Sequence, residues 1–503
     1  MAEEKKLKNK LIFKLMEKYK TIWALNHLGA LANWDLNTYM PEEGVEARGE
    51  ALAKLAVLSQ KIFLDNDFVS LIKKAENERG LNDYEKAVIR LLNRVLKYYQ
   101  KLPPEFIEEF TKVTSEAHVA WRNAKEQNNF SIFASFLKKI VELSRKKAEF
   151  LGYEKHPYDA LLDEYEEGLT TSEAEAFFSQ IKEPLKNLIS YIKKSPKYRE
   201  EHELEKYTYD REKVKAFAEF VLNYIHYNMK HLRIDISPHP FSQHMGKGDT
   251  RITMRPKDDF AKSYLSTMHE YGHALYEIQT HEDLHYSPIE RGTSLVIHES
   301  QTRNWENFIA KSKVFLASMY DEMKKINPQL EKHSVEEIYD YLNLVRPSYI
   351  RTEADEVTYH MHVMIRFELE KAMIEGKIKV KDLPRLWNEK YEEYLGIKPP
   401  TDTKGVLQDI HWSMGSIGYF PTYSMGTALS ALWKKHIEKD LGKIDDLVKT
   451  KEGIKKIQNW LKEKIHQHGS AYLYNELLQK STGENFSAEA LINYLEAKYK
   501  QIY

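Results

Sequence analysis

Apolar residues recur at three- and four-residue spacing along most of the chain, which predicts long amphipathic helices. The first helical block runs from Leu7 to Leu102, and Pro103-Pro104 ends it. A second helical block, Pro104–Leu151, is followed by a loop at Gly152–Tyr158. Thr171-Ser-Glu-Ala-Glu marks the start of another long helical region, because a hydroxyl cap precedes acidic first-turn residues.

The pattern changes after His231, where this helical region is predicted to end. Between Ser237 and Arg255, Pro and Gly together with the alternating run Thr250–Met254 predict a loop and a small strand. A helical pattern resumes at Asp258 and continues to the end of the sequence. We therefore expect a mainly α fold with a small minor β-sheet: one mostly helical domain over 1–503, with candidate lobes 1–235 and 236–503.

Composition narrows the class of protein. Gly (20) and Pro (16) are scarce for a chain of 503 residues, against usual shares of about 7% and 5%, which favours long helices. Because 75 basic residues balance 76 acidic ones, no basic surface indicates nucleic acid. Every apolar stretch is broken well before the ~20 residues of a membrane span. The absence of Cys excludes disulfides and thiolate metal sites, so we expect a soluble cytoplasmic protein.

The most specific motif is His269-Glu-Tyr-Gly-His273, inside a stretch with the pattern of an amphipathic helix. Residues four apart share one helical face, so both imidazoles can point at one metal ion. Glu270 lies about 100° further round the helix, where it can polarise an attacking water without coordinating the metal. The motif therefore predicts a zincin-like active-site helix, and the alternative is a pair of core histidines on a buried face.

A second match to the same pattern, His281-Glu-Asp-Leu-His285, lies in a polar stretch closed by Pro288. It has no apolar face that would bury it. We therefore predict that it is a solvated loop or helix end, and it shows how readily the five-residue pattern arises.

Catalytic zinc usually takes three protein ligands and keeps one position open, so a third ligand is required. The best candidate is Glu299, in Val296-Ile-His-Glu-Ser-Gln301, on a following helix packed against the first. His298 is adjacent and competes, but it would face elsewhere if Glu299 faces the metal. Two His and one Glu form a hydrolytic zinc set that also suits cobalt. In such a site Glu270 would take the proton of the water and pass it to the leaving amine.

Six short blocks in the C-terminal half resemble the carboxypeptidase Taq family of metallocarboxypeptidases, and they occur in the family's order. They are His239-Pro-Phe241, Asp249-Thr-Arg-Ile-Thr253, His269–His273, His298-Glu-Ser-Gln301, Ile350-Arg-Thr-Glu-Ala-Asp355 and Gly405-Val-Leu-Gln-Asp-Ile-His-Trp412. The resemblance implies a mainly helical fold with a deep substrate groove flanked by the two candidate lobes. It also implies a broad-specificity carboxypeptidase with one zinc or cobalt ion, usually a homodimer. It also implies that His269, His273 and Glu299 bind the metal and that Glu270 is the general base.

Within these blocks, several residues are candidates for binding a peptide substrate with a free C-terminus. A C-terminal carboxylate needs a cation, and the guanidinium fork suits it. Arg351 is favoured over Arg251; the alternative for Arg351 is a structural pair with Asp355. Further candidates are Asp249, which would orient Arg251 or a turn, His239, which would shape the groove wall, and His411 and Tyr423, which would donate hydrogen bonds. His360, His362, His466 and His468 are expected on helix surfaces without a role.

Two competing functions remain open from the sequence. One is a metallo-oligopeptidase or endopeptidase of the thimet oligopeptidase type with the same ligand set, and the other is a helical scaffold with a structural metal. Glu270 argues against the scaffold, because a structural site needs no base. The absence of Cys and the abundance of Lys and Glu also fit adaptation to heat, although an ordinary Lys/Glu-rich helical protein has the same composition.

Overall fold

The computed structural model describes residues 5–226, 229–257 and 259–503. Its α-helices follow in chain order: α1 Lys10–Thr38, α2 Val45–Phe63, α3 Asn66–Glu76, α4 Asp83–Lys101, α5 Pro104–Glu126, α6 Ser131–Leu151, α7 Pro157–Leu162, α8 Thr171–Lys194, α9 Arg211–Ile225, α10 Phe260–Ile278, α11 Leu295–Arg303, α12 Lys313–Ile326, α13 Val335–Leu342, α14 Tyr359–Glu375, α15 Leu383–Leu395, α16 Pro421–Leu441, α17 Ile444–Leu447, α18 Lys451–Lys464, α19 Tyr474–Thr482 and α20 Glu489–Ile502. The predominantly helical prediction is confirmed. Asp258, where the helical pattern is predicted to resume, lies outside the described residues.

The predicted helix boundaries follow the backbone chemistry of the chain. Pro104 is the first residue of α5, where a missing N–H leaves no bond unmade. Gly152 ends α6 with φ 78°, a left-handed conformation that glycine adopts without strain. The cap of α8 lies one residue before the expected one: the Thr170 side chain accepts from the N–H of Glu173, whose carboxylate accepts from the N–H of Thr170.

A three-stranded sheet interrupts the helices, with strands β1 (Leu232–Ile236), β2 (Ser242–Gly246) and β3 (Asp249–Met254). The strand order is β1-β3-β2; β1 is parallel to β3, and β2 is antiparallel to it. The predicted alternating run lies in β3. The helical region before it is shorter than predicted, because α9 ends at Ile225 and β1 begins where helix was expected to end.

The chain divides into two compact units, each assembled from three separated segments. The first unit comprises the described residues of Met1–Lys97, Glu203–Leu342 and Trp433–Phe486. The second comprises Tyr98–His202, Asn343–Leu432 and Ser487–Tyr503. The segments alternate along the sequence, so the chain does not change units only once near residue 235. Among the described helices, none has the length and apolar character to cross a membrane.

Helix α10 is the buried centre of the first unit. It packs against α9, α11 and β3, and residues on all its sides, including Tyr264, Met268, Tyr271 and Leu275, are buried. Gly272 permits the approach of α11, because a Cβ at this position would lie 2.5 Å from the Cα of Thr302. A larger residue there would force the two helices apart.

Candidate active site

The first unit brings His269, His273 and Glu299 together. His269 and His273 lie on α10 and Glu299 on α11, and one ligand atom from each lies within 4.8 Å of the others. The Nε2 atom of His269 is 3.7 Å from Oε2 of Glu299. Two imidazole nitrogens and one carboxylate oxygen at this spacing fit a zinc-type ion, since these are the donors that such an ion prefers.

Arg303 holds the carboxylate of Glu299 in place. One turn further along the helix, it donates from Nε and Nη2 to Oε1 of Glu299 at 2.9 and 2.6 Å. The other oxygen of Glu299 is the one directed at His269. The two oxygens thus have different partners, and the charge-assisted bonds to Arg303 fix the rotamer of Glu299.

Glu270 lies beside the cluster and is only 7% exposed. Burial raises the pKa of its carboxyl to about 7; the neighbouring His269 opposes this shift, and the carboxylates of Glu299 and Glu306 add to it. Glu270 is not one of the three converging ligands. A carboxyl group in such a place can exchange a proton without occupying a coordination position.

Each of the two histidines makes a further hydrogen bond through Nδ1. The Nδ1 atom of His269 lies 3.0 Å from Oε2 of Glu306, and that of His273 lies 3.3 Å from Nδ1 of His298. His298 in turn places Nε2 3.2 Å from Oε1 of Glu277. His298 therefore contacts a candidate ligand, and it is not itself part of the converging set.

The two carboxylates behind the histidines are held in the ionised form. Burial alone would raise the pKa of Glu277, but the hydrogen bond from His298 and the charges of His244, His298 and Arg291 together outweigh it, and the pKa falls to about 2. Burial alone would also raise the pKa of Glu306, but the charge of Arg303 and the hydrogen bond from His269 together lower it below the ordinary value. Glu306 lies in a π-helix, Asn304–Ala310, that continues directly from α11. Such turns are rare and are often found at functional sites.

In the second unit, Asp409 is half-buried and lies between two arginines. Its Oδ1 accepts from Nε and Nη2 of Arg351 at 3.0 and 2.9 Å, and its Oδ2 accepts from Nε of Arg366 at 2.6 Å. Burial alone would raise the pKa of Asp409, but the two guanidinium groups keep it well below its usual range. Two cations share one anion, so the cluster keeps a net positive charge. Of the two, Arg366 is fully enclosed, and Arg351 is 5% exposed.

The partner of Arg351 is thus Asp409, and the alternative pair with Asp355 is wrong. The carboxylate of Asp355 instead accepts backbone N–H groups of Arg346, Val357 and Thr358. Arg351 also donates from Nη1 to the hydroxyl of Tyr359 at 3.0 Å.

Aromatic rings surround this cluster. The guanidinium of Arg351 lies 5.0 Å from the ring centroid of Tyr423, whose hydroxyl is 3.3 Å from Nε2 of His411. Burial and then the charge of Arg351 lower the pKa of His411 to about 4, so the ring is neutral at physiological pH. Its Nδ1 is buried and has no hydrogen-bond partner within the described residues. Arg351, His411 and Tyr423 therefore form one group.

The remaining candidates lie in the first unit, on and near the sheet. Arg251 is engaged bidentately by Asp249, with Nε to Oδ1 at 2.8 Å and Nη2 to Oδ2 at 2.7 Å. Asp249 thus fixes the orientation of Arg251, as one of the two sequence hypotheses for it stated. His239 is exposed, and its carbonyl accepts from the hydroxyl of Ser237 at 2.6 Å.

Comparison with known proteins decides the family. The family model described as Carboxypeptidase Taq (M32) metallopeptidase matches residues 14–499. The chain belongs to this family. It is therefore a peptide hydrolase of the carboxypeptidase Taq type, a metallocarboxypeptidase that requires a divalent metal ion.

Curated relatives match over nearly their whole length. Thermostable carboxypeptidase 1 of Pyrococcus furiosus is 44% identical over 498 residues, covering 99% of this chain and 100% of the relative. Carboxypeptidase 1 of Bacillus subtilis is 35% identical, covering 94% and 95%. Among solved structures, the Pyrococcus furiosus carboxypeptidase has a TM-score of 0.96 at 44% identity, covering 98% of this chain and 99% of that one. Metallocarboxypeptidase 1 of Trypanosoma cruzi has a TM-score of 0.92 at 32% identity, covering 98% and 99%.

The second match to the metal motif in this carboxypeptidase Taq family member is a short turn. Glu282–Leu284 form a 3₁₀ helix, and the His281 side chain accepts from the N–H of Asp283. The histidines at both ends of the match are half-buried, and neither belongs to the converging ligand set found among the described residues. It is a turn, as expected, but it is not fully solvated, because Leu284 is buried and both histidines are half-buried.

The expectation that four other histidines lie on helix surfaces is wrong. His360, His362 and His466 are fully buried, and His468 is half-buried. Each has a specific partner: Ser424 for His360, Tyr391 for His362, Gln279 and Gln301 for His466, and Tyr84 for His468. The three buried histidines are hydrogen-bonded core groups, because they lie in the enclosed helix α14 or in the segment around His466 that its own unit covers.

Sequence reasoning missed Arg303, Glu306 and Glu277. The spacing of Glu277 from His273 and of Arg303 from Glu299 is one helical turn, so both share a face with a ligand. This spacing is the sequence signal from which the positions of Glu277 and Arg303 near the site could have been predicted. Glu306 had no comparable signal, because its approach to His269 depends on how α11 and its π-helical continuation pack against α10.

Proposed function

We propose that the chain releases single amino acids from the C-termini of peptides with broad specificity, and that Glu270 is the general base. The observation that carries this proposal is the convergence of His269, His273 and Glu299 around one point, with buried Glu270 beside them. A structural metal site would close all four positions with protein ligands, whereas three ligands leave room for water and substrate.

The proposed ligands are His269, His273 and Glu299, and the metal is zinc or cobalt. Imidazole and carboxylate donors accept both ions, so the donor set supports either one. When bound, such an ion would polarise the scissile carbonyl and lower the pKa of the attacking water towards ~7.

In this mechanism Glu270 moves the proton. Its carboxylate accepts a proton from the attacking water as the C–O bond forms, and it then donates that proton to the amine as the C–N bond breaks. Its side chain needs no coordination position for this task. Burial of Glu270 supports the role, because exclusion of solvent strengthens electrostatic interactions in the site.

We propose that Arg351 binds the C-terminal carboxylate of the substrate. Arg351 is held by Asp409 and Tyr359, and it belongs to a cluster with a net positive charge. Arg251 is a weaker candidate, because Asp249 alone occupies its fork and neutralises its charge. His411 and Tyr423 are proposed to donate hydrogen bonds to substrate. This role is supported by Nδ1 of His411, which has no partner among the residues that the structure describes. His239 is proposed to shape the wall of the substrate site, and Asp249 to orient Arg251.

The deciding experiment uses two peptides of one sequence, one with a free C-terminal acid and one amidated. Mass spectrometry follows both with and without a chelator. A ladder that shortens from the C-terminus of the free acid only, and that the chelator stops, is the expected result. Equal cleavage of the amidated peptide would indicate an oligopeptidase of the thimet type instead.

We also propose that the protein is homodimeric, heat-stable and cytoplasmic. The family resemblance supports the dimer, the names of relatives such as thermostable carboxypeptidase 1 support heat stability, and the cysteine-free composition fits a reducing compartment. Analytical ultracentrifugation tests the dimer. A thermal midpoint within the mesophilic range of about 45–65 °C would contradict heat stability.

A further inference from the structure

The tautomer of His269 is set by Glu306. Only one nitrogen of a neutral imidazole has a free lone pair, and the other carries the proton. Oε2 of Glu306 accepts from Nη1 of Arg303 at 2.8 Å and lies 3.0 Å from Nδ1 of His269, so the proton of the ring is on Nδ1. Nε2 keeps its lone pair, and this is the atom 3.7 Å from Oε2 of Glu299.

His273 is oriented in the same way through one more residue. Its Nδ1 faces Nδ1 of His298 at 3.3 Å, and Nε2 of His298 faces Oε1 of Glu277 at 3.2 Å. Because the Glu277 carboxylate accepts from Nε2–H of His298, Nδ1 of His298 is the acceptor for the Nδ1–H of His273. The Nε2 lone pair of His273 is therefore the one left for a ligand.

The backbone around His298 packs closely against the hydrogen-bonded series formed by Glu277, His298 and His273. The N–H of Gly292 lies 3.3 Å from both carboxylate oxygens of Glu277. A Cβ at Gly292 would come within 2.6 Å of Nε2 of His298 and of the Tyr276 ring, so the loop packs tightly against the imidazole. Both Glu277 and His298 lie among buried residues of the first unit.

We propose that Glu306, and His298 together with Glu277, are positioning residues that fix the tautomer and ring direction of His269 and His273 for metal binding. This inference rests on the proposed ligand set of His269, His273 and Glu299. Removal of such a partner typically weakens metal binding about 10–100-fold.

The test measures the zinc dissociation constant by competition with a chromophoric chelator. Glu306→Gln and Glu277→Gln keep the size of each side chain and remove the charged acceptor. Each is expected to weaken zinc binding about 10–100-fold, and the double variant should combine both losses because separate ligands are affected. Glu290→Gln is the matched control: Glu290 is a buried carboxylate of the same unit that accepts from Trp23 and Tyr286, and zinc binding should be unchanged.

The order of this hydrogen-bonded series, from Glu277 through His298 to His273, provides a sharper test. Glu277 acts on His273 only through His298, so Glu277→Gln should cause no further loss of zinc affinity once His298→Leu is present. A further loss as large as in the wild-type background would overturn the proposed relay. If His298→Leu does not fold, His298→Asn serves for the same comparison.

Glu299→Gln, measured in parallel, distinguishes a failure of the proposed ligand set from a failure of the proposed positioning role. Unchanged zinc affinity in Glu299→Gln would reject the ligand set itself. Weakened affinity there, with wild-type affinity in both Glu277→Gln and Glu306→Gln, would reject the positioning role and leave the ligand set in place. The absorption spectrum of the cobalt-loaded protein gives a second readout: it should shift in the two positioning variants and not in Glu290→Gln.

Discussion

Trp412 donates its indole N–H to Oε1 of Glu370 across 2.7 Å, and both side chains are buried in the second unit. Oε2 of the same carboxylate accepts from the hydroxyl of Tyr158 at 2.6 Å and from the N–H of Gly418 at 2.9 Å. Glu370 therefore fastens α14 at two points to the segment between His411 and Tyr423.

Glu370 makes the stability of the protein depend on pH. Burial raises its pKa from 4.5 to about 7, although its three donors act in the opposite direction. In the unfolded chain the carboxyl group ionises near its ordinary pKa of 4.5. Its contribution to the stability of the folded protein is therefore complete below pH 4.5 and is lost as the pH rises towards 7. This loss is worth about 3 kcal/mol.

Glu370→Gln removes this titration. We expect the free energy of unfolding of the wild type, minus that of Glu370→Gln, to fall by about 3 kcal/mol between about pH 4 and pH 8. Guanidinium unfolding of both proteins across this range measures the difference. A constant difference would show that Glu370 does not change protonation with folding.

Glu270→Gln should abolish turnover and preserve metal binding. The amide cannot accept the proton of the attacking water, and loss of a general base typically reduces the rate about 10²–10⁴-fold. Because Glu270 is outside the converging ligand set, the metal content measured by atomic absorption should equal that of the wild type. Substantial activity in a metal-loaded Glu270→Gln protein would refute the mechanism.

Arg351→Gln should impair the use of free-acid peptides. Loss of charge-assisted hydrogen bonds to the carboxylate removes about 2–4 kcal/mol, so kcat/KM should fall about 30–1000-fold. Arg251→Gln is the matched control, and its kcat/KM should remain close to that of the wild type. The reverse ranking of the two variants would assign carboxylate binding to Arg251.

Gly272→Ala should damage both stability and metal binding. The added methyl group would lie 2.5 Å from the Cα of Thr302, so α10 and α11 must separate and Glu299 must move relative to the two histidines. We expect a loss of about 1–3 kcal/mol in unfolding free energy, together with weaker zinc binding. Calorimetry and chelator competition measure the two effects.

Gly49→Ala is the control for this substitution. Gly49 lies within α2, and a Cβ there would meet no atom within 4 Å. Alanine should therefore raise the stability by about 0.5–1 kcal/mol through its better helix propensity. A destabilised Gly49→Ala protein would show that the effect at Gly272 is not specific to the contact between α10 and α11.

The sequence allowed prediction where local spacing determines geometry. His269 and His273 share a helical face because of the period of the helix, and β3 follows from the alternation of Thr250–Met254. Strands β1 and β2 were not predicted, since Leu232–Ile236 directly follows a helical pattern and Ser242–Gly246 is mostly polar. Both are strands because they pair with β3, and the pairing of β1 with β3 joins segments on either side of β2.

The burial of polar groups was harder to predict from the sequence. In α14 the polar residues His360, His362, Arg366 and Glu370 are fully enclosed, although such residues usually mark a solvated face. Each is compensated by a partner from another part of the second unit, such as Asp409 for Arg366. Because these partners are remote in the sequence, helical periodicity gives no indication of them.

The interleaved segments of the two units have a consequence for biosynthesis. The first unit needs Trp433–Phe486, and the second needs Ser487–Tyr503, whose helix α20 packs on α8. The first unit lacks one of its segments until Phe486 has been synthesised, and the second until Tyr503 has been synthesised. Contacts between such distant segments form slowly, so each unit is expected to complete its folding only after its last segment has been synthesised. Until α20 docks, the nascent chain exposes an apolar face of α8, which makes it a natural client for chaperones.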